Sequence, residues 1–234
     1  MVGVEKRTAL GKLPKGSLCK VPGLSATVLH IPSSPGYRAE FGGSRVIRPV
    51  VMSPDVRLVT ERLVLRPATP VDAELLLKLF SFPEVWRYLP PGPPFTVERA
   101  KAGIERRMKL EAERGFSPML VFRKDTEEFI GNAGLQGVLD TPEVEIAYHY
   151  LPSSWGHGYG TEAAIAILGD GLERVGLDRI IAVCVPENVG SWRIMEKAGM
   201  RYVGLASYYG LVGLKKYVAE LGDWSAPFRP PARE

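Results

Sequence analysis

The feature that most constrains this chain is a glycine-rich segment, residues 155–162, which reads Trp-Gly-His-Gly-Tyr-Gly-Thr-Glu. It follows an apolar, strand-like run at 144–151 and precedes a helical run at 161–175. The free N–H groups of a helix N-terminus favour negative charge, and glycine lets a diphosphate approach the backbone without a Cβ in the way. The segment therefore predicts a phosphate-bearing ligand held by main chain at the start of this helix. Alternating glycines alone are also typical of a flexible turn.

The basic character of the chain belongs to its first 54 residues. The whole chain carries a net charge of +4, but residues 1–54 contain eight basic and two acidic side chains, which leaves −2 for the remainder. Pro, Gly and Ser interrupt every candidate element in this stretch. We predict a disordered basic extension over 1–54. An organellar transit peptide and a true start at Met52 are the alternatives.

Several classes of protein are disfavoured by composition. No apolar run is long enough to cross a membrane or to form a signal-peptide core. The two cysteines, Cys19 and Cys184, lie far apart and give no metal or redox spacing, so we expect no metal and a reduced, cytoplasmic setting. Because the basic charge lies in the extension, the pI of about 9.0 does not predict nucleic-acid binding by the folded domain.

Hydrophobic periodicity and capping signals predict one domain over residues 55–224, followed by a Pro-rich tail at 225–234. Thr69-Pro70-Val71-Asp72 is a helix start, with Thr as N-cap, and Gly115 and Gly176 end two later helices. The predicted strands lie at 57–66, 117–122, 129–138, 144–151, 180–185, 202–206 and 214–221, and the predicted helices begin at 69, 96, 161 and 188.

Four local strings, in this order, resemble the GNAT acetyltransferases, and more narrowly the Rim-type branch (RimJ/RimL-like ribosomal-protein N-terminal acetyltransferases). They are Thr-Glu-Arg-Leu-Val-Leu-Arg at 60–66, Glu-Ile-Ala-Tyr at 145–148, the glycine segment through Ala163, and Asn-Val-Gly-Ser at 188–191 with Glu-Lys-Ala-Gly-Met at 196–200. The resemblance covers about residues 57–224. It implies an α+β fold with a mixed, mostly antiparallel sheet of about seven strands, splayed between the fourth and fifth, and about four helices.

The resemblance also implies that the ligand of the glycine segment is acetyl-CoA, used as a co-substrate. Its pyrophosphate would bind the backbone of six consecutive residues, and Asn188 would bond the pantetheine arm, which would pair along the end of the fourth strand. The implied contacts are Gly156, His157, Gly158, Tyr159, Gly160 and Thr161 for the phosphates, and Tyr148, His149, Tyr150 and Leu151 for the pantetheine.

Transfer to an amine needs a base, because an amine is protonated at neutral pH. Glu145 occupies the family's acidic position, and the alternative is a strand-edge glutamate in a surface ion pair; Glu143 is a weaker candidate. The family's usual acid, a tyrosine, is replaced by Met195. The resemblance offers Ser191 instead, whose alternative role is a plain helix N-cap.

Two residues outside these strings, Trp86 and Tyr88, lie where the family shapes its acceptor pocket, or else pack beneath a proline-rich loop. The sequence thus predicts an N-acetyltransferase acting on a primary amine, first of all a protein or peptide N-terminus. A small-molecule amine, a CoA-binding module without catalysis, and a dinucleotide-binding oxidoreductase are the alternatives, the last disfavoured because no acidic residue ends the following strand. We expect a monomer or homodimer.

Overall fold

The computed structural model describes residues 19–20, 27–28, 57–90, 94–139 and 141–227. Within them lie ten strands and five α-helices. The strands are β1 (Cys19–Lys20), β2 (Thr27–Val28), β3 (Leu58–Val59), β4 (Leu63–Pro67), β5 (Pro118–Arg123), β6 (Phe129–Gly137), β7 (Val144–Tyr150), β8 (Arg179–Cys184), β9 (Arg201–Tyr208) and β10 (Leu211–Glu220). The helices are α1 (Ala73–Phe80), α2 (Pro83–Trp86), α3 (Val97–Arg114), α4 (Tyr159–Gly169) and α5 (Val189–Lys197).

All strands form one sheet, in the order β1-β2-β3-β4-β5-β6-β7-β8-β10-β9. Neighbours are antiparallel except β7 and β8, which are parallel and share a single register pair, Glu145 with Ile181. Beyond that pair the two strands diverge. The predicted mixed, mostly antiparallel sheet with a splay at this place is therefore confirmed.

The count of elements was predicted less well. The predicted strand 57–66 turns back on itself at residues 60–62, so β3 and β4 form a tight hairpin in which Leu58 faces Leu65. The eight strands from β3 onward thus replace the expected seven. The fifth helix, α2, is a single turn inside the predicted loop, begun by Pro83 at its first position.

Several predicted boundaries are confirmed. Thr69 and Asp72 exchange hydrogen bonds at the first turn, which is a 3₁₀ turn that runs into α1. Thr96 caps α3, and Gly115 ends it in the left-handed region. Met108 follows Ala100 and Ile104 at a spacing that predicts the same helix face, yet it is 47% exposed. The inward face of α3 continues from Ala100 and Ile104 to Arg107 instead.

The predicted extension and tail fall mostly outside the described residues. Of the extension, only β1 and β2 belong to them, and Thr27 pairs with Val59 at the edge of the sheet.

The sheet separates two apolar layers. α4 and α5 pack on one face, against even-numbered side chains of β7 such as Ile146 and Tyr150. α1 and α3 pack on the other face, through Leu76, Leu79, Ile104 and their neighbours. Because successive side chains of a strand point to opposite faces, Glu145 and His149 of β7 lie on the α1/α3 side.

A buried carboxylate connects the first turn of α4 to the β3–β4 hairpin. Glu162 accepts hydrogen bonds from Thr60 Oγ1 at 2.6 Å, from the Arg62 backbone N–H at 2.8 Å and from Arg62 Nε at 2.7 Å. Arg62 Nη1 also donates to the carbonyl of His157. Burial acts to raise the pKa of Glu162, but these bonds from Thr60 and Arg62 outweigh it and lower the pKa. The bend that splits the predicted strand is therefore fixed by a residue a hundred positions further on.

We expect Glu162→Gln to lower the free energy of unfolding by about 2 kcal/mol at neutral pH, because it removes charge-assisted hydrogen bonds from a buried site. A carboxylate whose pKa is lowered on folding stabilises the fold above its unfolded pKa, and this contribution is lost as the pH falls through the folded pKa. The difference between the wild type and the variant should therefore shrink below about pH 4. Urea unfolding at a series of pH values measures it.

Glu173→Gln is the matched control, since Glu173 is exposed on the helical segment that continues α4. It should change the free energy of unfolding little at any pH. Equal losses in the two variants would contradict the role of Glu162.

Candidate active site

The divergence of β7 and β8 opens a cavity of about 800 Å³ through the sheet. Its walls are β7, β8, the first turn of α4, the length of α5, the β9–β10 turn and the segment after α1. This cavity brings together most of the predicted site residues, namely Glu145, Tyr148, His149, Tyr150, Gly156, Gly158, Tyr159, Gly160, Thr161, Asn188 and Ser191.

The glycine segment forms one end of the cavity. Gly156 and Gly158 have φ values of 80° and 79°, a left-handed conformation that favours glycine. Gly158 is the N-cap of α4, and no side chain caps its first turn. The N–H groups at the start of α4 are therefore left for a ligand, as the sequence predicts for an anion site.

Close packing explains a third glycine. A Cβ on Gly160 would lie 2.6 Å from Cδ1 of Ile194 and 3.3 Å from Cε2 of Tyr150. The absence of a side chain thus brings α4 against α5 and β7. Trp155 anchors the segment, because its indole N–H donates to the carbonyl of Tyr150 at 2.8 Å. His157 is exposed and stacks on Tyr159.

The edge of β7 that faces β8 presents alternate backbone groups to the cavity. The N–H of Leu151 donates to Ile130 on β6, so the backbone groups of Leu151 and His149 point toward β6. Those of Tyr148 and Tyr150 point the other way. The carbonyl of Tyr150 already accepts the hydrogen bond from Trp155. The N–H and C=O of Tyr148 face the gap that opens where β7 and β8 separate.

Glu145 lies in the wall of the cavity and is 5% exposed. Its carboxylate accepts a hydrogen bond from Gln136 Nε2 at 2.7 Å and a short one from the hydroxyl of Tyr209. The interpretation as a strand-edge residue in a surface ion pair is wrong, because the side chain is buried and both of these partners are neutral. Burial raises the pKa of Glu145, although the bonds from Tyr209 and Gln136 act against this rise.

The partner Tyr209 lies 64 residues from Glu145 along the chain. It sits in the β9–β10 turn with a φ of 57°, an uncommon conformation for a residue other than glycine. This turn places its hydroxyl on Glu145. The neighbouring Tyr208 donates instead to Glu143 at 2.6 Å, and Lys216 also bonds Glu143, so Glu143 is held in a separate ion pair.

Ser191 is not the N-cap of α5. That position belongs to Asn188, whose side-chain oxygen accepts from the N–H of Ser191 at 3.2 Å. The Ser191 hydroxyl faces the cavity and lies 3.2 Å from the hydroxyl of Tyr148, which also donates to the Ser191 carbonyl. The side chain of Tyr148 is therefore a functional candidate that sequence reasoning missed, because its strand position suggested only a backbone role.

The α1/α3 side of the cavity is lined by Val85, Tyr88, Leu89 and His149. Of the two aromatic residues singled out from sequence, Tyr88 lines the cavity, whereas Trp86 is 52% exposed and is not part of its wall. Cys184 is buried on the β8 wall. No cluster suited to hold a metal ion occurs among the residues for which coordinates are described, and no helix within the same ranges is long and apolar enough to span a membrane.

Comparison with known proteins identifies the family of this arrangement. Residues 62–201 match the family described as Acetyltransferase (GNAT) domain. The chain is 32% identical over 169 residues to the uncharacterized N-acetyltransferase YnaD of Bacillus subtilis (strain 168), a match that covers 72% of this chain and 92% of YnaD.

Solved structures agree on the fold. The GNAT-family acetyltransferase from Bacillus anthracis is 28% identical, with a TM-score of 0.58, over 68% of this chain and 95% of that one. A structure described as a putative ribosomal-protein-serine acetyltransferase from Vibrio cholerae is 25% identical, with a TM-score of 0.60, over 72% and 99% of the two chains.

We expect Tyr209→Phe to raise the pKa of Glu145 further, because the hydrogen bond from Tyr209 favours the ionised carboxylate and its loss leaves burial less opposed. Carbon-13 NMR titration of labelled glutamate carboxylates measures this change. Tyr208→Phe is the matched control, since the Tyr208 hydroxyl bonds Glu143 and leaves the contacts of Glu145 intact. A shift of equal size in both variants would contradict the assignment.

Proposed function

The chain belongs to the GNAT acetyltransferase family, and from this premise we propose that it transfers an acetyl group from acetyl-CoA to the amine of a protein or peptide N-terminus. The observation that carries the proposal is the cavity through the sheet. One end is a helix N-terminus without a capping side chain, and the wall holds a buried carboxylate, Glu145. An anion site and a base in one cavity suit a reaction between a phosphate-bearing acyl donor and an amine.

The residues present fit coenzyme A. A Cβ on Gly156 would meet no atom within 4 Å, so a ligand has open access to the backbone there. The cavity volume lies within the usual range of small-molecule sites. The backbone from Gly156 to Thr161 would hold the diphosphate, the open edge of Tyr148 would pair with the pantetheine arm, and Asn188 would bond that arm. Acetyl-CoA supplies the reactive acyl group as a thioester.

Three elements of the chain would perform the transfer by direct attack in a ternary complex. Glu145 takes a proton from the acceptor ammonium, directly or through a water molecule, so that the amine can attack. The N–H of Tyr148, at the splay, stabilises the negative charge that develops on the carbonyl oxygen. The hydroxyls of Ser191 and Tyr148 lie together on the opposite wall, where a proton can be returned to the leaving thiolate.

Support for the Rim-type assignment, and so for a peptide N-terminus, comes from the four sequence strings and from the name of the Vibrio cholerae neighbour. A small-molecule amine is the alternative acceptor. A CoA-binding module without catalysis is the second candidate function, because Met195 stands where many family members have a tyrosine and is 2% exposed in the wall. Turnover distinguishes the two, whereas binding of acetyl-CoA does not.

Calorimetric titration of the full chain with acetyl-CoA, and separately with NADH, tests the first step. We expect binding of acetyl-CoA in the micromolar range and no binding of NADH, because the glycine segment opens α4 without the acidic residue that a dinucleotide ribose needs. A folded protein that binds only NADH would overturn the proposed function.

We expect Glu145→Gln to lower kcat by about 10²-fold to 10⁴-fold, the usual range for loss of a general base, with little change in the Kd of acetyl-CoA. Steady-state release of the CoA thiol, combined with calorimetry, separates these two quantities. Glu143→Gln is the control, since Glu143 is paired with Lys216 and Tyr208 and should retain turnover. A Glu145→Gln enzyme with full kcat would remove Glu145 from the mechanism.

A further inference from the structure

Three buried polar atoms without a hydrogen-bond partner lie on the α1/α3 side of the sheet. They are Nη1 of Arg107, Nδ1 of His149 and Oδ1 of Asn132, none of which has a hydrogen-bond partner among the described residues. Buried polar groups are paired in the great majority of cases. Three unpaired ones in one region therefore require an explanation.

Sheet register and helix spacing bring these three residues together. Asn132 on β6 and His149 on β7 are direct cross-strand partners, so their side chains lie side by side on one face. The ring of Phe80, on α1, lies 5.2 Å from the ring of His149 on that same face. Arg107 follows Ile104 by three residues on the inward side of α3, and its charge is close enough to lower the pKa of His149.

The electrostatic state of the cluster is an unpaired cation beside a neutral imidazole. Burial, with a smaller contribution from Arg106, lowers the pKa of Arg107 to about 10, so the guanidinium is still charged at neutral pH. Burial, with a smaller contribution from Arg107, lowers the pKa of His149 to about 4, so the imidazole is neutral. No carboxylate among the described residues pairs with Arg107. A buried charge without a partner lowers the stability of the fold. Residues that lower stability in this way are often retained because they bind a ligand.

We propose that Arg107 and His149 form a subsite for a carboxylate carried by the acceptor, whereas Oδ1 of Asn132, itself a hydrogen-bond acceptor, takes no part in binding it. The planar guanidinium suits a carboxylate, because its paired N–H donors match the two carboxylate oxygens. The neutral imidazole of His149 can also donate a hydrogen bond from Nδ1, since the hydrogen bonds of the ring determine which nitrogen carries the proton. This inference rests on the proposed transfer to a peptide N-terminus and deepens it. It assigns the acceptor an acidic side chain near its terminal amine.

The position of the subsite fits an extended peptide. Of the three residues, His149 lines the cavity, whereas Arg107 and Asn132 are not part of its wall. Glu145 also lines the cavity and lies on the same face of β7 as His149, four residues earlier. At about 3.4 Å per residue of strand, the two are about 14 Å apart. An extended peptide advances by a similar distance per residue, so an amine near Glu145 would bring an acidic side chain from the first few residues to His149, the residue through which the subsite meets the cavity. A single free α-amino acid is too short for both contacts.

The test compares peptides that begin with serine and carry one Glu at position 2, 3 or 4 with otherwise identical peptides that carry Gln. Release of the CoA thiol gives kcat/KM for each. We expect the full-length wild type to prefer one Glu peptide over its Gln partner by about tenfold or more, because a site built for a polar group rejects the analogue that lacks it. In Arg107→Met this ratio should fall to about one.

Arg106→Met is the matched control, since Arg106 is the exposed neighbour on the same helix and should keep the wild-type ratio. Thermal melting adds a readout that does not depend on activity. Arg107→Met should melt no lower than the wild type, because it removes an unpaired buried charge. A marked fall in Tm would show that Arg107 supports the fold, and would overturn the subsite.

The outcomes separate this inference from the proposed function. Equal kcat/KM for Glu and Gln peptides in the wild type would overturn the carboxylate subsite and leave peptide acetylation standing. Turnover of no peptide at all, with acetyl-CoA bound, would overturn the peptide acceptor and the subsite together.

Discussion

The buried carboxylate of Glu162 is the contact on which the geometry of the glycine-rich segment depends. It ties the first turn of α4 to the β3–β4 hairpin through Thr60 and Arg62, and Arg62 in turn holds the carbonyl of His157. An acidic residue in the first turn of a helix often caps that helix. Because Glu162 is directed outward to the hairpin instead, the helix keeps its first N–H groups unpaired while the glycine segment is fixed in place. Rigid support and open donors are what a backbone anion site requires.

The second constraint is the single register pair between β7 and β8. Parallel strands normally stay paired, and here they separate after Glu145 and Ile181. The separation makes a passage through the sheet, so side chains of β7 line the cavity on both faces of the sheet. Tyr148 points to α5 and Ser191 on one side, whereas Glu145 and His149 point to the α1/α3 layer on the other. Donor and acceptor would then approach the edge of β7 from opposite faces, which supports direct transfer.

Local chemistry in the sequence was sufficient for much of this. Caps such as Thr96 and Gly115, and the glycines at 156 and 158, act within a few residues, so their pattern predicts the elements and the anion site. The contacts that sequence reasoning missed are all distant along the chain. Tyr209 reaches Glu145 from 64 residues away, and Glu162 bends the predicted first strand from 102 residues away. Arg107 looks like an ordinary surface residue of a charged helix until the packing of α3 shows which face is inward.

The buried polar groups in and around the cavity differ in how completely they are paired. Near the β9–β10 turn, Glu145 and Glu143 each accept hydrogen bonds from side chains. In the first turn of α4, the carboxylate of Glu162 accepts several hydrogen bonds. At the α3 side, Arg107, His149 and Asn132 leave polar atoms unpaired. A paired network holds a geometry that must be ready before any ligand arrives, whereas an unpaired one gains its partners from the ligand. Since the acyl donor is common to the family and acceptors differ, the incomplete pairing lies where discrimination between acceptors is expected to arise.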